Sequence, residues 1–232
     1  MSERWHLLRS GAGTAAMNMA VDETLLEAVH EMDRPVLRFY SWSERAATFG
    51  YSQRFAEAAR LSELRPLIRR PTGGGVVPHA RDWTYSLVFP PAHRWAKLRA
   101  VDSYREVHDW LRVAFANTGV GAGLAERSLG EKIGSCFGRA EKNDLLFGGT
   151  KVAGAAQRRN RFGLLIQGSI QPTANGAWNS CVRENWEAAM LETGSVRFQV
   201  KWLELDLAER FRQRMTTLEA DKYGTERYNC SR

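Results

Sequence analysis

Three features of this 232-residue chain have residue types and spacing that could do chemistry: a triple-glycine loop, a cysteine among small residues, and a lysine followed three positions later by glycine. The loop lies in Arg69–Ser86, RRPTGGGVVPHARDWTYS. Gly73, Gly74 and Gly75 remove every Cβ from the bend, so the backbone can take positive φ, approach a ligand closely and offer bare N–H groups. A tight hairpin needs one or two glycines. A cradle for a phosphate or carbonyl fits this pattern, and so does a loose surface turn. Cys136, in IGSCFGRA, is flanked by Gly134, Ser135 and Gly138, which leave a sulfur accessible as a reactive thiol requires. A lone cysteine also reads as a small buried hydrophobe. Lys151 follows the pair Gly148–Gly149. Its ammonium would favour a Cys136 thiolate if the two meet; otherwise it is a solvated charge.

Other chemistries find little support. Cys136, Cys181 and Cys230 are odd in number and widely spaced, so neither a disulfide framework nor a CxxC zinc pattern forms. The five histidines include no HxxxH pair, and no metal site is expected. The formal charge of +7 suits nucleic acid or an acidic protein partner. No aromatic–basic repeat or recognition-helix pattern backs the first. No apolar run approaches the ~20 residues that span a bilayer, and MSERWHLLRSGAG lacks the apolar core of a secretory signal. A soluble cytoplasmic protein without membrane association is the expectation.

The elements that must position these residues follow from periodicity. Residues 16–31 form a helix with Met17, Val21, Leu25 and Ala28–Val29 on one stripe; Asn18, beside it, reads as a cap or surface residue. Val36–Trp42 and Ala46–Gly50 are strands, Ala56–Leu64 a helix, and Leu67–Arg70 and Thr84–Phe89 the strands that enter and leave the glycine loop. Residues 102–118 form a helix that Asp102 or Ser103 caps and Gly119 ends. Asp144–Phe147 and Thr150–Arg158 make a hairpin about Gly148–Gly149, followed by a strand over Phe162–Ile170. Glu184–Glu192 reads as a short helix and 203–218 as an amphipathic one, with Leu203, Leu207, Phe211, Met215 and Leu218 on its stripe. The interleaving predicts one α/β (α+β) domain over residues 1–220, a central mixed β-sheet flanked by helices. A polar tail, 221–232, should fray, beginning near Glu219.

The run RRPTGGGVVPH…TYS, followed by GTKVAGAAQRR and LLIQGSI, resembles the biotin/lipoate protein ligase superfamily, above all its lipoate–protein ligase A branch. AMNMAVDETLL and RFYSWSERAATFGYSQ resemble that branch's first helix and strand pair. The resemblance implies a mixed sheet flanked by helices, and an enzyme that attaches lipoyl or octanoyl groups to a lysine of an acidic carrier domain. It implies substrate binding by Arg70, Thr72, Gly73, Gly74, Gly75 and His79 of the loop and by Gly154 and Ala155 of the K-x-x-G strand. In the branch's octanoyltransferases a Cys–Phe pair precedes K-x-x-G, and TYS replaces a ligase pattern ending in Gly-Asn. Cys136–Phe137 and Thr84–Tyr85–Ser86 match the transferases. On that reading Cys136 and Lys151 are catalytic and no cofactor is needed beyond the acyl substrate. The partners are acyl carrier protein and acidic lipoyl domains, such as glycine cleavage H protein or dehydrogenase E2 domains. The alternatives are a cysteine-dependent amidotransferase between carrier domains and an ATP-dependent ligase that uses ATP and Mg to make lipoyl-adenylate. One departure stands out: Ala80 follows His79 where the family has Asp, with Asp82 two residues further on, so either Asp82 takes over the local hydrogen bonds or the loop is rebuilt.

Overall fold

The structure, a computed structural model, describes residues 2–128, 140–171 and 180–231. The chain begins with β1 (Glu3–Gly13), α1 (Ala15–Met32), β2 (Val36–Trp42), β3 (Ala46–Phe49) and α2 (Phe55–Leu61). Next come β4 (Leu67–Arg69), β5 (Val77–His79), β6 (Trp83–Phe89), α3 (Arg94–Lys97), α4 (Ala100–Asn117) and β7 (Gly123–Leu124). After these follow β8 (Leu145–Phe147), β9 (Thr150–Asn160), β10 (Gly163–Ile170), α5 (Ser180–Phe198), β11 (Val200–Glu204), α6 (Glu209–Leu218) and α7 (Glu226–Asn229).

Eight strands form one mixed sheet in the order β11-β1-β2-β6-β10-β9-β8-β7, and β4-β3-β5 form a second, smaller sheet. β1 runs parallel to both β11 and β2, whereas β6, β10 and β9 pair antiparallel with their neighbours. Strand alternation decides what each face does. In β6, Trp83, Tyr85, Leu87 and Phe89 enter a core shared with Val107, Trp110 and Leu111 of α4 and Trp186 and Met190 of α5. Val88 faces the other way, toward Val21, Leu25 and Val29 of α1 and Met215 of α6. Thr84 and Ser86 share that second face and are buried polar residues. The expected mixed sheet flanked by helices is therefore present. Among the described residues no helix is long and apolar enough to cross a membrane.

Several boundaries differ from the sequence expectation. Residues 203–218 do not form one helix: Leu203 belongs to β11 and α6 begins at Glu209. Leu203 and Leu207 repeat the four-residue spacing of the helix behind them, so strand and helix merge into one apparent stripe. α4 starts before Asp102, and the Ser103 hydroxyl donates within the helix, to Ala100 O at 2.9 Å, instead of capping it. α1 is capped by Thr14, whose hydroxyl accepts from Met17 N at 3.0 Å. The segment from Glu219 does not fray: it folds as a π-helical turn over Glu219–Tyr223 and then α7, with Tyr223 fully buried. The hairpin between β8 and β9 is as expected, with positive φ at both Gly148 (55°) and Gly149 (79°).

Candidate active site

Arg70, next to the edge strand β4, turns its buried guanidinium back onto the glycine loop. Its Nη2 donates to Gly73 O and, at 2.8 Å, to Gly75 O, and its Nε donates to Gly73 O at 3.0 Å. Gly74 takes φ +89°. A Cβ on Gly50 would lie 2.0 Å from Gly74 O, so the turn after β3 presses against the loop. The Thr72 hydroxyl donates to Gln167 Oε1 at 2.7 Å, and Gln167 Nε2 donates to Asp22 Oδ2 at 2.7 Å. Asp22 Oδ1 accepts from Arg38 Nη1 and from the Ser86 hydroxyl, each at 2.7 Å. Arg38 also holds Asn18 Oδ1 at 2.7 Å. Asn18 is thus neither cap nor surface residue but a buried partner of this network, 1% exposed. A buried Arg–Asp pair needs such saturation, because an uncompensated charge there costs about 3–5 kcal/mol.

His79 ends β5. Its Nδ1 lies 2.7 Å from Asp82 Oδ2, its Nε2 lies 2.8 Å from the Thr48 hydroxyl, and its ring stacks on Trp42 with centroids 3.6 Å apart. Asp82 also accepts from the Ser169 hydroxyl at 2.9 Å. Asp82, two residues beyond Ala80, is thus the carboxylate that holds the His79 imidazole. Nothing in the sequence alone joined Asp82 to Thr48 and Ser169; they converge because β5 pairs with β3 in the smaller sheet and β10 with β6 in the larger one.

On the opposite side, Lys151 Nζ pairs with Asp144 Oδ2 at 2.7 Å, and both side chains are nearly buried. Asp144 Oδ2 also accepts from Glu141 N at 2.7 Å. A Cβ on Gly154 would fall 2.7 Å from Lys151 Cε and 2.9 Å from Nζ. The glycine of K-x-x-G therefore makes room for the end of the lysine. Asp144 escaped sequence reading because it looked like the first residue of a strand. Behind this pair, burial holds the His108 imidazole below its ordinary value; the Asp144 charge opposes the shift and the Lys151 charge adds to it. Burial, then the Asp144 charge, raises the Tyr85 phenol, whose ring occupies the space a side chain at Gly168 would need.

Between the two sides lies a partly open pocket with a free volume of about 30 Å³, walled by Met19, Tyr40, Trp42, Val77, Ala155 and Ala156 together with Arg70, His79, Gly154, Gln167 and Ser169. The phenol of Tyr40 is pushed up by burial, then by the Asp22 charge, and stays protonated.

The sequence model of the lipoyl protein ligase A/B catalytic domain matches residues 14–216. The chain belongs to that family. It is 34% identical over 179 residues to octanoyltransferase LipM of an Exiguobacterium species, covering 72% of this chain and 65% of the relative. To octanoyltransferase LipM of Staphylococcus aureus it is 32% identical over 184 residues, 73% of this chain and 66% of the relative. The chain thus spans about two thirds of the length of these curated relatives. Protein Ta0514 of T. acidophilum, solved with bound lipoic acid, superposes with a TM-score of 0.78 at 22% identity, covering 99% of this chain and 100% of that one. A lipoate–protein ligase A bound with ATP gives 0.75 at 21%, covering 99% of each. At such identities these structures establish the shared fold.

Within this lipoyl protein ligase A/B domain, the expected site residues divide. Arg70, His79, Gly154 and Ala155 line the pocket. Thr72 is fully buried behind it, and Gly73–Gly75 form the loop beside it; a Cβ on Gly74 would lie 3.8 Å from pocket-lining Ala156. Lys151 reaches the wall through Gly154. Cys136, with Phe137, lies outside the described residues.

Proposed function

We propose that this chain is a cysteine-dependent acyltransferase of protein lipoylation, moving an octanoyl or lipoyl group from an acyl carrier to a lysine of a lipoyl carrier domain. The observation that carries the reading is the buried Lys151–Asp144 pair, whose ammonium end lies against Gly154 at the wall of a mostly apolar pocket. The Cys136–Phe137 pair ahead of it and the relatives named octanoyltransferase support the same chemistry.

The Cys136 thiolate attacks the donor thioester; a new C–S bond forms, the donor's C–S bond breaks, and the donor sulfur leaves as a thiolate that takes a proton from solvent. The carrier lysine, as a free amine, then attacks this second thioester. An amide forms, Cys136 leaves as thiolate, and the amine proton passes to solvent. Lys151 favours the thiolate and, with N–H groups of Gly73–Gly75, stabilises the oxyanion. Arg70 and Thr72 shape the loop, while His79, Gly154 and Ala155 bound the acyl tail. Each methylene buried there contributes about 0.8 kcal/mol. Acyl carrier protein and acidic lipoyl domains, among them glycine cleavage H protein or dehydrogenase E2 domains, are partners that a +7 chain attracts electrostatically.

A second reading, an ATP-dependent lipoate–protein ligase, rests on the loop itself: a Cβ on Gly73 would meet nothing within 4 Å, so the backbone there is open to a phosphate as well as to a carbonyl. ATP with Mg would then activate the acyl carboxylate by adenylation. The two readings separate when octanoyl–acyl carrier protein and an apo lipoyl domain are incubated without ATP. The transferase amidates the domain and Cys136→Ser abolishes this. Activity that instead requires ATP and lipoate, and survives in Cys136→Ser, establishes the ligase.

A further inference from the structure

Beyond the family match, which ends at residue 216, the chain folds back toward the glycine loop. The contacts are polar and specific. β4 is an edge strand, and its backbone N–H at Arg69 points away from β3. Asn229 of α7 meets it there, its Oδ1 accepting from Arg69 N at 2.8 Å. The Asn229 Nδ2 donates to Tyr223 O at 2.8 Å and Thr225 O at 3.0 Å, so the amide ties its own segment together while closing the strand edge. The Arg69 guanidinium, itself 1% exposed, bridges the same segment to the turn after β3. It donates to Asn229 O at 3.0 Å on one side, and to Tyr51 O at 2.8 Å and Gln53 O at 2.7 Å on the other. That turn holds the loop directly: Tyr51 N donates to Thr72 O at 2.8 Å, and Gly50 lies against Gly74 O.

The segment is anchored at its other end by Glu23 of α1, which accepts from Lys222 Nζ at 2.6 Å and from the Tyr223 hydroxyl at 2.6 Å. Glu23 adjoins Asp22, the start of the buried chain through Gln167 to Thr72. Two routes thus leave neighbouring residues of one helix and converge on the glycine loop, one through the sheet and one around the outside.

We propose that residues 219–231 are a strut that sets the glycine loop from behind, with Asn229 as its positioning residue. The catalytic consequence rests on the reading of the loop as part of an acyl site; the mechanical one does not. The full chain carrying Asn229→Ala is compared with wild type by amide hydrogen exchange and by octanoyl transfer. Peptides covering residues 68–76 should exchange roughly five- to thirtyfold faster, as loss of a buried hydrogen bond implies. Peptides from β6 and β10 should be unchanged, and kcat/KM should fall while the melting transition stays cooperative. Asn229→Asp, which keeps an oxygen for the Arg69 N–H but sets a second oxygen against Tyr223 O and Thr225 O, should bring the exchange of 68–76 below that of Asn229→Ala without reaching wild type. Should Asn229→Ala fail to fold, Asn229→Ser, whose shorter side chain keeps one donor for its own segment, carries the same comparison. Unchanged exchange at the loop, or acceleration spread evenly over the chain, overturns the strut. If wild type transfers no acyl group, the proposed function fails while the exchange result still decides the strut.

Discussion

On the glycine-loop side of the pocket, the loop itself is held by neutral acceptors: Arg70 donates to Gly73 O, Gly75 O and the Thr72 hydroxyl, and the loop reaches the buried Asp22–Arg38 pair only through Thr72 and Gln167. On the hairpin side, placement of Lys151 depends on charge and on space, through the Asp144 carboxylate and the missing Cβ of Gly154. A distributed set of hydrogen bonds degrades gradually when one member is removed. A nearly buried ion pair does not, because its remaining partner is left charged and poorly solvated. The loop side should be tolerant and the hairpin side brittle.

Lys151→Met is the harshest way to test that contrast. It removes the oxyanion-stabilising charge and strands Asp144, so kcat/KM should fall by roughly 10²–10³ and urea unfolding should show a loss of about 3–5 kcal/mol. Activity within tenfold of wild type would erase the contrast. Gly154→Ala should cost less stability than Lys151→Met. Its Cβ presses on the ion-paired end of Lys151 and lies 3.6 Å from Asp144 Oδ1, so the pair must shift without being lost; the fold should lose about 1–2 kcal/mol while kcat/KM drops on the order of 10²-fold through misplacement. On the loop side, Thr72→Val deletes the donation to Gln167 and should cost about 1–3 kcal/mol. Its kcat/KM should stay within roughly threefold, since Arg70 still grips Gly73 and Gly75 and the loop shift stays well under the ångström scale that costs 10²-fold.

The smallest effect is on pH. Above its ordinary value of 6.5, His108 is neutral whether the chain is folded or unfolded. Below it the unfolded chain binds a proton that burial denies the folded one, so stability falls as pH drops through that value toward the lowered folded one. His6 and His93, also lowered chiefly by burial, act in the same direction from more exposed positions. Thermal melts between pH 8 and 5 should show this acid slope, and His108→Leu should flatten it.

The two sides also differed in how they could be read from the chain. Local signals carried the hairpin, since two glycines in sequence dictate the turn that places Lys151 on β9. Val36–Trp42, rich in aromatic and β-branched residues, ran to the same limits in the structure as in the sequence pattern. The partners of the loop are non-local. Asp22, Gln167 and Ser86 are ordinary polar residues on three separate elements, and only the register of β10 against β6 brings them together beneath α1. β1 went unrecognised because its charged residues alternate poorly and its pairing is parallel on both sides, with β11 far away in the chain. The segment after Glu219 read as polar and therefore loose, yet its polarity is what lets Asn229 close the edge of β4.

The central claim, a thioester on Cys136 formed under the influence of Lys151, is tested most directly by intact mass after incubation with octanoyl–acyl carrier protein. Wild type should gain one octanoyl group that hydroxylamine removes, Cys136→Ala should gain none, and Lys151→Met should gain it far more slowly. No labile adduct on wild type, or an adduct that persists in Cys136→Ala, would contradict the account.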